Sequence, residues 1–130
     1  MDIEFSGTGV IQIHTLFLFR QVRIISISLW QIIEGPMAEI IKIHKNIIIK
    51  GRVQGVGFRF ASRTMATSLG IKGFVKNMYN GDVYIEAEGT EIQIKHFIEW
   101  CHKGPGYANI SDVIIEDSEV KGFQFFDITH

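Results

Sequence analysis

Polar and apolar residues alternate across residues 41–50, with Ile41, Ile43, Ile47 and Ile49 on one face and Lys42, His44 and Lys50 on the other. A period of two is that of a strand with one face on a core and the other toward water, and Gly51 ends it. From Phe58 the period lengthens. Phe58, Ala61, Met65 and Leu69 fall near one face of a helix that Gly70 is placed to stop. Residues 73–79 read as a second strand, and Asn80-Gly81 marks a hairpin turn because both residues tolerate positive φ. Residues 82–88 alternate again, which predicts Val83, Ile85 and Ala87 inward and Asp82, Tyr84, Glu86 and Glu88 outward. Thr90 predicts an N-cap for a helix carrying Ile94, Phe97, Ile98 and Cys101, closed by Gly104-Pro105-Gly106. Residues 110–115 and 123–128 read as two further strands, the last reached through Lys121-Gly122.

The predicted order is β-α-β-β-α-β with a final strand added. Two helices stacked on one face of an antiparallel sheet bury these stripes most economically, which is a ferredoxin-like α/β sandwich of the α+β class. Residues 1–36 stand apart from this scheme. They hold two apolar stretches, 10–19 and 24–33, separated by Arg20 and Arg23. Each is too short to span a bilayer, and the arginines between them would be costly at its centre. A secretory signal is also disfavoured, since the chain opens with Asp2 and Glu4. Two readings of this arm stay open: an extension covering an apolar patch, or a start assigned too far upstream with Met37 as the working start. The second is preferred, because residues 37–130 read as a complete domain and Pro36 breaks any continuous element.

Composition narrows the function classes. A chain of 130 residues with 46% apolar content suits a domain with a sizeable core. The formal net charge is −1. Of 13 Lys and Arg, all but Arg20 and Arg23 lie from Met37 onward; of 14 Asp and Glu, all but Asp2, Glu4 and Glu34 do. Eleven of each sign remain there. No basic surface for nucleic acid or anionic membrane is expected, so any anion must be held locally. The single Cys101 fits a reducing, cytoplasmic setting and reads as a small buried hydrophobe in its helical stripe. His96 and His102 do not share a helix face, so no metal site is expected.

Local anion chemistry is concentrated in residues 51–59, GRVQGVGFR. Gly51, Gly55 and Gly57 let the backbone turn tightly and gather N–H groups, and a following helix N-terminus adds free N–H groups and partial positive charge. Arg59 falls in the first turn, where the helix dipole disfavours a cation. An arginine aimed at such a point suits a phosphate or carboxylate. The string is not a Walker-type loop, since no Gly-Lys-Ser/Thr follows. It only half-matches a dinucleotide fingerprint, Phe60 standing where the third glycine belongs. The plainer reading of a lone GxG is a tight turn with a surface arginine; arginines at both ends argue against it. In a split βαβ fold Asn77, in GFVKN on the next strand, can lie close enough to face this loop.

GRVQGVGFR, followed about eighteen residues later by GFVKN and an Asn-Gly turn, resembles the acylphosphatase family. Gly104 to Ile110 (GPGYANI) and the Phe126-Asp127-Ile128 ending resemble the family's later segments, so the likeness runs from about Ile43 to His130. It implies hydrolysis of acyl phosphates to carboxylate and inorganic phosphate, with no metal, cofactor or phosphoenzyme. It also implies that Arg59 is the phosphate-binding arginine and Asn77 the water-positioning asparagine. Backbone amides of Val53, Gln54, Gly55, Val56, Gly57 and Phe58 would hold phosphate oxygens. The sequence departs from relatives at Gly57, a cysteine in some, and at Met78, a threonine in many; neither position removes a catalytic group.

The implied partner is a small-molecule acyl phosphate, with no nucleic acid or membrane, on a monomer unless the N-terminal arm mediates association. Two other classes share the fold. An RNA-recognition domain would need its aromatic motif on the third strand, where Val83-Tyr84-Ile85 stands, together with a basic surface. A non-catalytic anion sensor, or an accessory domain like that of hydrogenase-maturation carbamoyltransferases, would be signalled by loss of Arg59 or Asn77. Both are retained.

Overall fold

The structure, a computed structural model, describes residues 40–130. The 1–36 arm and the Met37 boundary lie outside the described residues. Strands β1 (Lys42–Arg52), β2 (Lys72–Asn77), β3 (Val83–Thr90), β4 (Asn109–Ser118) and β5 (Phe126–Ile128) form one sheet in the order β4-β1-β3-β2-β5. Helices α1 (Phe58–Leu69) and α2 (Glu91–Lys103) lie between β1 and β2 and between β3 and β4 in the chain. The order matches the expected sandwich, but the sheet is mixed: β5 pairs parallel with β2, while every other neighbouring pair is antiparallel.

Local signals account for the helix ends. Gly70 adopts the left-handed conformation after α1. Its N–H donates to Thr67 O at 3.1 Å and that of Ile71 to Ala66 O at 2.8 Å, the paired bonds of a Schellman stop. Thr90 caps α2 in a reciprocal box: Gln93 N donates to Thr90 Oγ1 at 3.3 Å, and Thr90 N donates to Gln93 Oε1 at 2.9 Å. Such a cap contributes about 1 kcal/mol. The α2 stripe buries Ile94, Phe97 and Cys101. Burial also raises the Cys101 thiol pKa, so this cysteine is inert packing rather than a nucleophile. The α1 stripe is centred differently from expectation, on Phe58, Ser62 and Ala66. Ser62 is tolerated there because its hydroxyl donates to Phe58 O at 2.7 Å.

The helix-side face of the sheet contributes Ile47, Ile49, Val75, Val83, Ile85 and Ala87 to the core, as the alternation predicts. The opposite face corrects it. His44, Glu86 and Glu88, expected in solvent, are only 1%, 7% and 4% exposed. The cause is residues 119–125, which cross this face from β4 at one edge to β5 at the other. Glu88 accepts the backbone N–H groups of Lys121, Gly122 and Phe123, the latter two at 3.0 Å. His44 Nδ1 lies 2.7 Å from Glu88 Oε2, and Lys121 Nζ donates to Glu86 Oε1 at 2.8 Å. The Phe123 ring sits 6.0 Å from His44 and 5.8 Å from Phe74. The expected 123–128 strand is reduced to Phe126–Ile128, with the Phe123 N–H turned to Glu88; Gly73 N still donates to Phe125 O at 2.8 Å.

Burial alone would raise the Glu88 carboxyl. The three N–H groups and His44 outweigh it and hold the pKa below the usual carboxylate range. A folded-state pKa lower than the unfolded one stabilises fully above the ordinary glutamate value of about 4.3 and is lost as pH falls through the folded value. Thermal melts should therefore show an acid-side loss of stability beginning below that value. Glu88→Gln should lower Tm near neutral pH, costing about 1–3 kcal/mol, and flatten the acid limb. A variant with an unchanged acid limb would show that Glu88 does not hold the crossing segment.

Candidate functional site

Because β1 and β2 are both antiparallel to β3, they run parallel to each other with one strand between them. Their C-terminal ends emerge at the same end of the sheet, about 10 Å apart, or two inter-strand spacings. β5, parallel to β2, ends there too. The glycine loop, Asn77 and residues 128–130 are brought together by this topology.

At the exit of β1 the pairing with β4 shifts register between Lys50 and Gly51. Gly51 has φ 125° and packs so closely on β4 that a Cβ would lie 2.1 Å from Asn109 O. This bulge turns the chain into the loop. Gly55 (φ 74°) and Gly57 (φ 79°) flank Val56 in left-handed conformations. Glycines in this conformation let successive N–H groups turn to one side, the geometry that an anion-binding nest requires. Gly57 is also the N-cap of α1; no side chain caps that helix end, and no acidic residue sits in its first turn. Its free N–H groups and positive dipole end therefore face the loop.

Val53, Gly55, Gly57, Phe58, Arg59, Phe60, Asn77, Ile128 and His130 line a cleft of about 240 Å³. This is below the usual range of small-molecule pockets, about 300–1,000 Å³, and suits a compact ligand. Phe58 is buried and anchors the start of α1, its ring 5.4 Å from Trp100. Arg59 is half-buried, and no carboxylate among the described residues pairs with it. A guanidinium in a cleft without a protein counter-ion is available to an anion. Asn77, also half-buried, closes the cleft from β2. Lys76 points to the other face, over the Tyr84 ring at 5.7 Å.

Two loop residues expected to contribute backbone amides turn their side chains away from the cleft. The Val56 side chain packs against the core. The Gln54 side chain turns to the β2–β3 hairpin, where its Nε2 donates to Met78 O at 2.7 Å and Asp82 O at 2.8 Å. Three lining residues were not legible in the sequence. Phe60 is 63% exposed, and the Arg63 guanidinium lies 5.6 Å from its ring centroid. Ile128 and His130 reach the cleft through the parallel pairing of β5, extended by Thr129 N donating to Val75 O at 2.9 Å. A helix-surface phenylalanine and a terminal strand of unknown partner carry no sequence signal for such a place. Among the described residues no three of His, Cys, Asp or Glu cluster as metal ligands would.

A family model described as acylphosphatase matches residues 45–128. An acylphosphatase of Thermotoga petrophila is 43% identical over 84 residues, which are 65% of this chain and 93% of that protein. One of Trichormus variabilis is 37% identical over 93 residues, 72% of this chain and 90% of that protein. Among solved structures, the acylphosphatase of Bacillus subtilis superposes with a TM-score of 0.66 at 35% identity, covering 68% of this chain and 99% of that one.

Proposed function

The chain belongs to the acylphosphatase family and hydrolyses acyl phosphates, and we propose that it does so with Arg59, Asn77 and the amides of residues 53–58, by in-line attack of water and without a metal. The observation that carries this reading is one cleft in which Arg59, unpaired among the described residues, an uncapped helix N-terminus and Asn77 converge.

The phosphoryl group rests in the loop, its oxygens on backbone N–H groups and the Arg59 guanidinium. As the bond to the acyl oxygen breaks, charge spreads over the equatorial oxygens, and these fixed donors stabilise it. The leaving group is a carboxylate whose conjugate acid has a pKa of about 4, so it departs without a general acid. Arg59 and the amides supply the charge stabilisation that a cation would otherwise lend. Asn77 cannot serve as a base at neutral pH. Its side-chain oxygen accepts a hydrogen bond from water and aims it along the line of the breaking bond. No side chain among the described residues takes the Asn77 amide, which leaves it available for this water. The water's proton passes to a phosphate oxygen of the substrate. The acyl group lies toward Phe60 and Ile128, the apolar part of the lining.

Residues 37–130 form the catalytic domain in this reading, supported by a family match that falls wholly within them. The chain is read as a monomer unless residues 1–36 mediate association, and its near-neutral charge argues against a nucleic-acid partner. A lone buried cysteine, with no second cysteine to form an internal disulfide, supports a cytoplasmic setting. Among the described residues no helix is long and apolar enough to cross a membrane. The test is hydrolysis of benzoyl phosphate in EDTA by the full chain and by residues 37–130. Both should turn over at equal rates, unaffected by the chelator. Loss of activity in EDTA, restored by a divalent cation, would refute the metal-free mechanism; an active full chain beside a folded, inert fragment would assign residues 1–36 to the enzyme.

A further inference from the structure

The hairpin that carries Asn77 is a closed unit. Met78 N donates to Asp82 O at 2.8 Å, Gly81 N to Met78 O at 3.2 Å, and Asp82 N to Asn80 Oδ1 at 3.0 Å. Met78 follows Asn77 directly, and Asp82 precedes Val83, the register partner of Asn77. The carbonyls of Met78 and Asp82 thus flank the Asn77–Val83 pair on both strands. Both accept from Gln54 Nε2, whose two hydrogens are matched by these two acceptors. Lys50 adds a second tie from β1, its Nζ donating to Asp82 Oδ2 at 2.8 Å. β1 and β2 do not touch, since β3 lies between them. β3 links the two sides, since Val83 pairs with both Ile49 of β1 and Asn77 of β2; beyond the ends of those ladders, the Gln54 side chain makes two direct bonds from the phosphate loop to the Asn77 hairpin.

We propose that Gln54 is a positioning residue of the hydrolytic step: its side chain holds the Asn77 end of β2 in register with the loop, so that the water aimed by Asn77 meets the phosphorus held there. This rests on the roles of Arg59 and Asn77 given above. A change of the Gln54 side chain keeps its backbone amide, the other loop amides and Arg59, so phosphate affinity should change far less than the rate. Attack geometry depends on the tie, and a misplacement of about 1 Å lowers a rate by about a hundredfold.

The test compares the full chain with Gln54→Met, Asn77→Ala and the double variant, reading kcat for benzoyl phosphate and Ki for inorganic phosphate. Methionine keeps the length and removes both donors. Gln54→Met should lower kcat by about ten- to a hundredfold and change Ki by less than about threefold. In the Asn77→Ala background it should cost less than about a further twofold, because a tie that acts through Asn77 has nothing left to position. An unchanged kcat, a parallel loss of phosphate affinity, or losses that multiply in the double variant would each overturn the proposal. If Asn77→Ala itself kept full kcat, the fault would lie with the role of Asn77, and the proposal would fall with it. Should Gln54→Met not fold, Gln54→Glu supplies the second reading. Its carboxylate donates nothing when ionised and one bond when protonated, so its kcat relative to the parent should rise from about pH 7 to about pH 5. A flat ratio would count against the tie.

Discussion

Replacing Arg59 by alanine is expected to lower kcat/KM for benzoyl phosphate by about a thousandfold or more and to remove inhibition by inorganic phosphate. Single donors to a developing oxyanion are worth about 10²–10³ in rate, and arginines on a transferring phosphoryl group about 10³–10⁵. Arg59 is both a ground-state and a transition-state contact, so KM and kcat should suffer together. The fold should not. No carboxylate among the described residues pairs with this guanidinium, and a cation in the first turn of α1 opposes the helix dipole. Its removal should leave Tm unchanged or raise it by the equivalent of about 0.3–1 kcal/mol. Arg59→Lys should rescue only part of the loss, because an ammonium lacks the planar fork that engages two oxygens at once. Full activity in a folded Arg59→Ala protein would remove Arg59 from the site.

Asn77→Ala should behave differently. Turnover should fall by about a hundredfold or more, since a water with no fixed partner attacks from a broad range of directions. Inorganic phosphate should bind almost as before, because its ligands, the loop amides and Arg59, belong to β1, the loop and α1. The discriminating measurement is the Ki for phosphate set beside kcat in the same preparation. If Asn77→Ala abolished phosphate binding, Asn77 would be a ligand of the anion and the water-positioning role would be wrong. Asn77→Asp extends the contrast: a carboxylate at this place would repel the phosphoryl group, so both parameters should worsen.

Of the two residues proposed to carry the reaction, Arg59 is legible in the sequence for local reasons and Asn77 through the family resemblance. Gly55, Gly57 and Arg59 sit within five positions of one another, and backbone conformation over so short a span is set by the residues themselves. Asn77 alone reads as a strand-end residue, and it is singled out by the pairing of GFVKN with GRVQGVGFR that resembles the acylphosphatase family. Helix ends were equally readable: Gly70 and Thr90 act on backbone groups a few bonds away, and both work as their residue types predict.

What escaped the pattern is non-local. Alternation in β3 implies one wet face, yet Glu86 and Glu88 are buried, because a segment thirty-odd residues downstream crosses that face and places its N–H groups on Glu88. Periodicity reports which residues share a face, and it is silent on what covers that face. The same limit applies to His44, whose ring is held by two carboxylates from the neighbouring strand. Ser62 replaced an apolar residue at the centre of the α1 stripe because a hydroxyl can be satisfied by its own helix, an option hydropathy does not register.

The chain by itself determined the elements, their caps and the glycine-rich loop, since each is written in the conformational preference of a few adjacent residues, while Arg59 and Asn77 were singled out as a pair by the family motif they share. Only the tertiary structure decided that β5 would join parallel to β2, that Phe60, Ile128 and His130 would complete the cleft, and that the Gln54 side chain would leave the loop to hold the hairpin. Those outcomes depend on strand order. Strand order is chosen by how the whole sheet satisfies its edges and covers its second face, a sum over contacts that no local stretch contains.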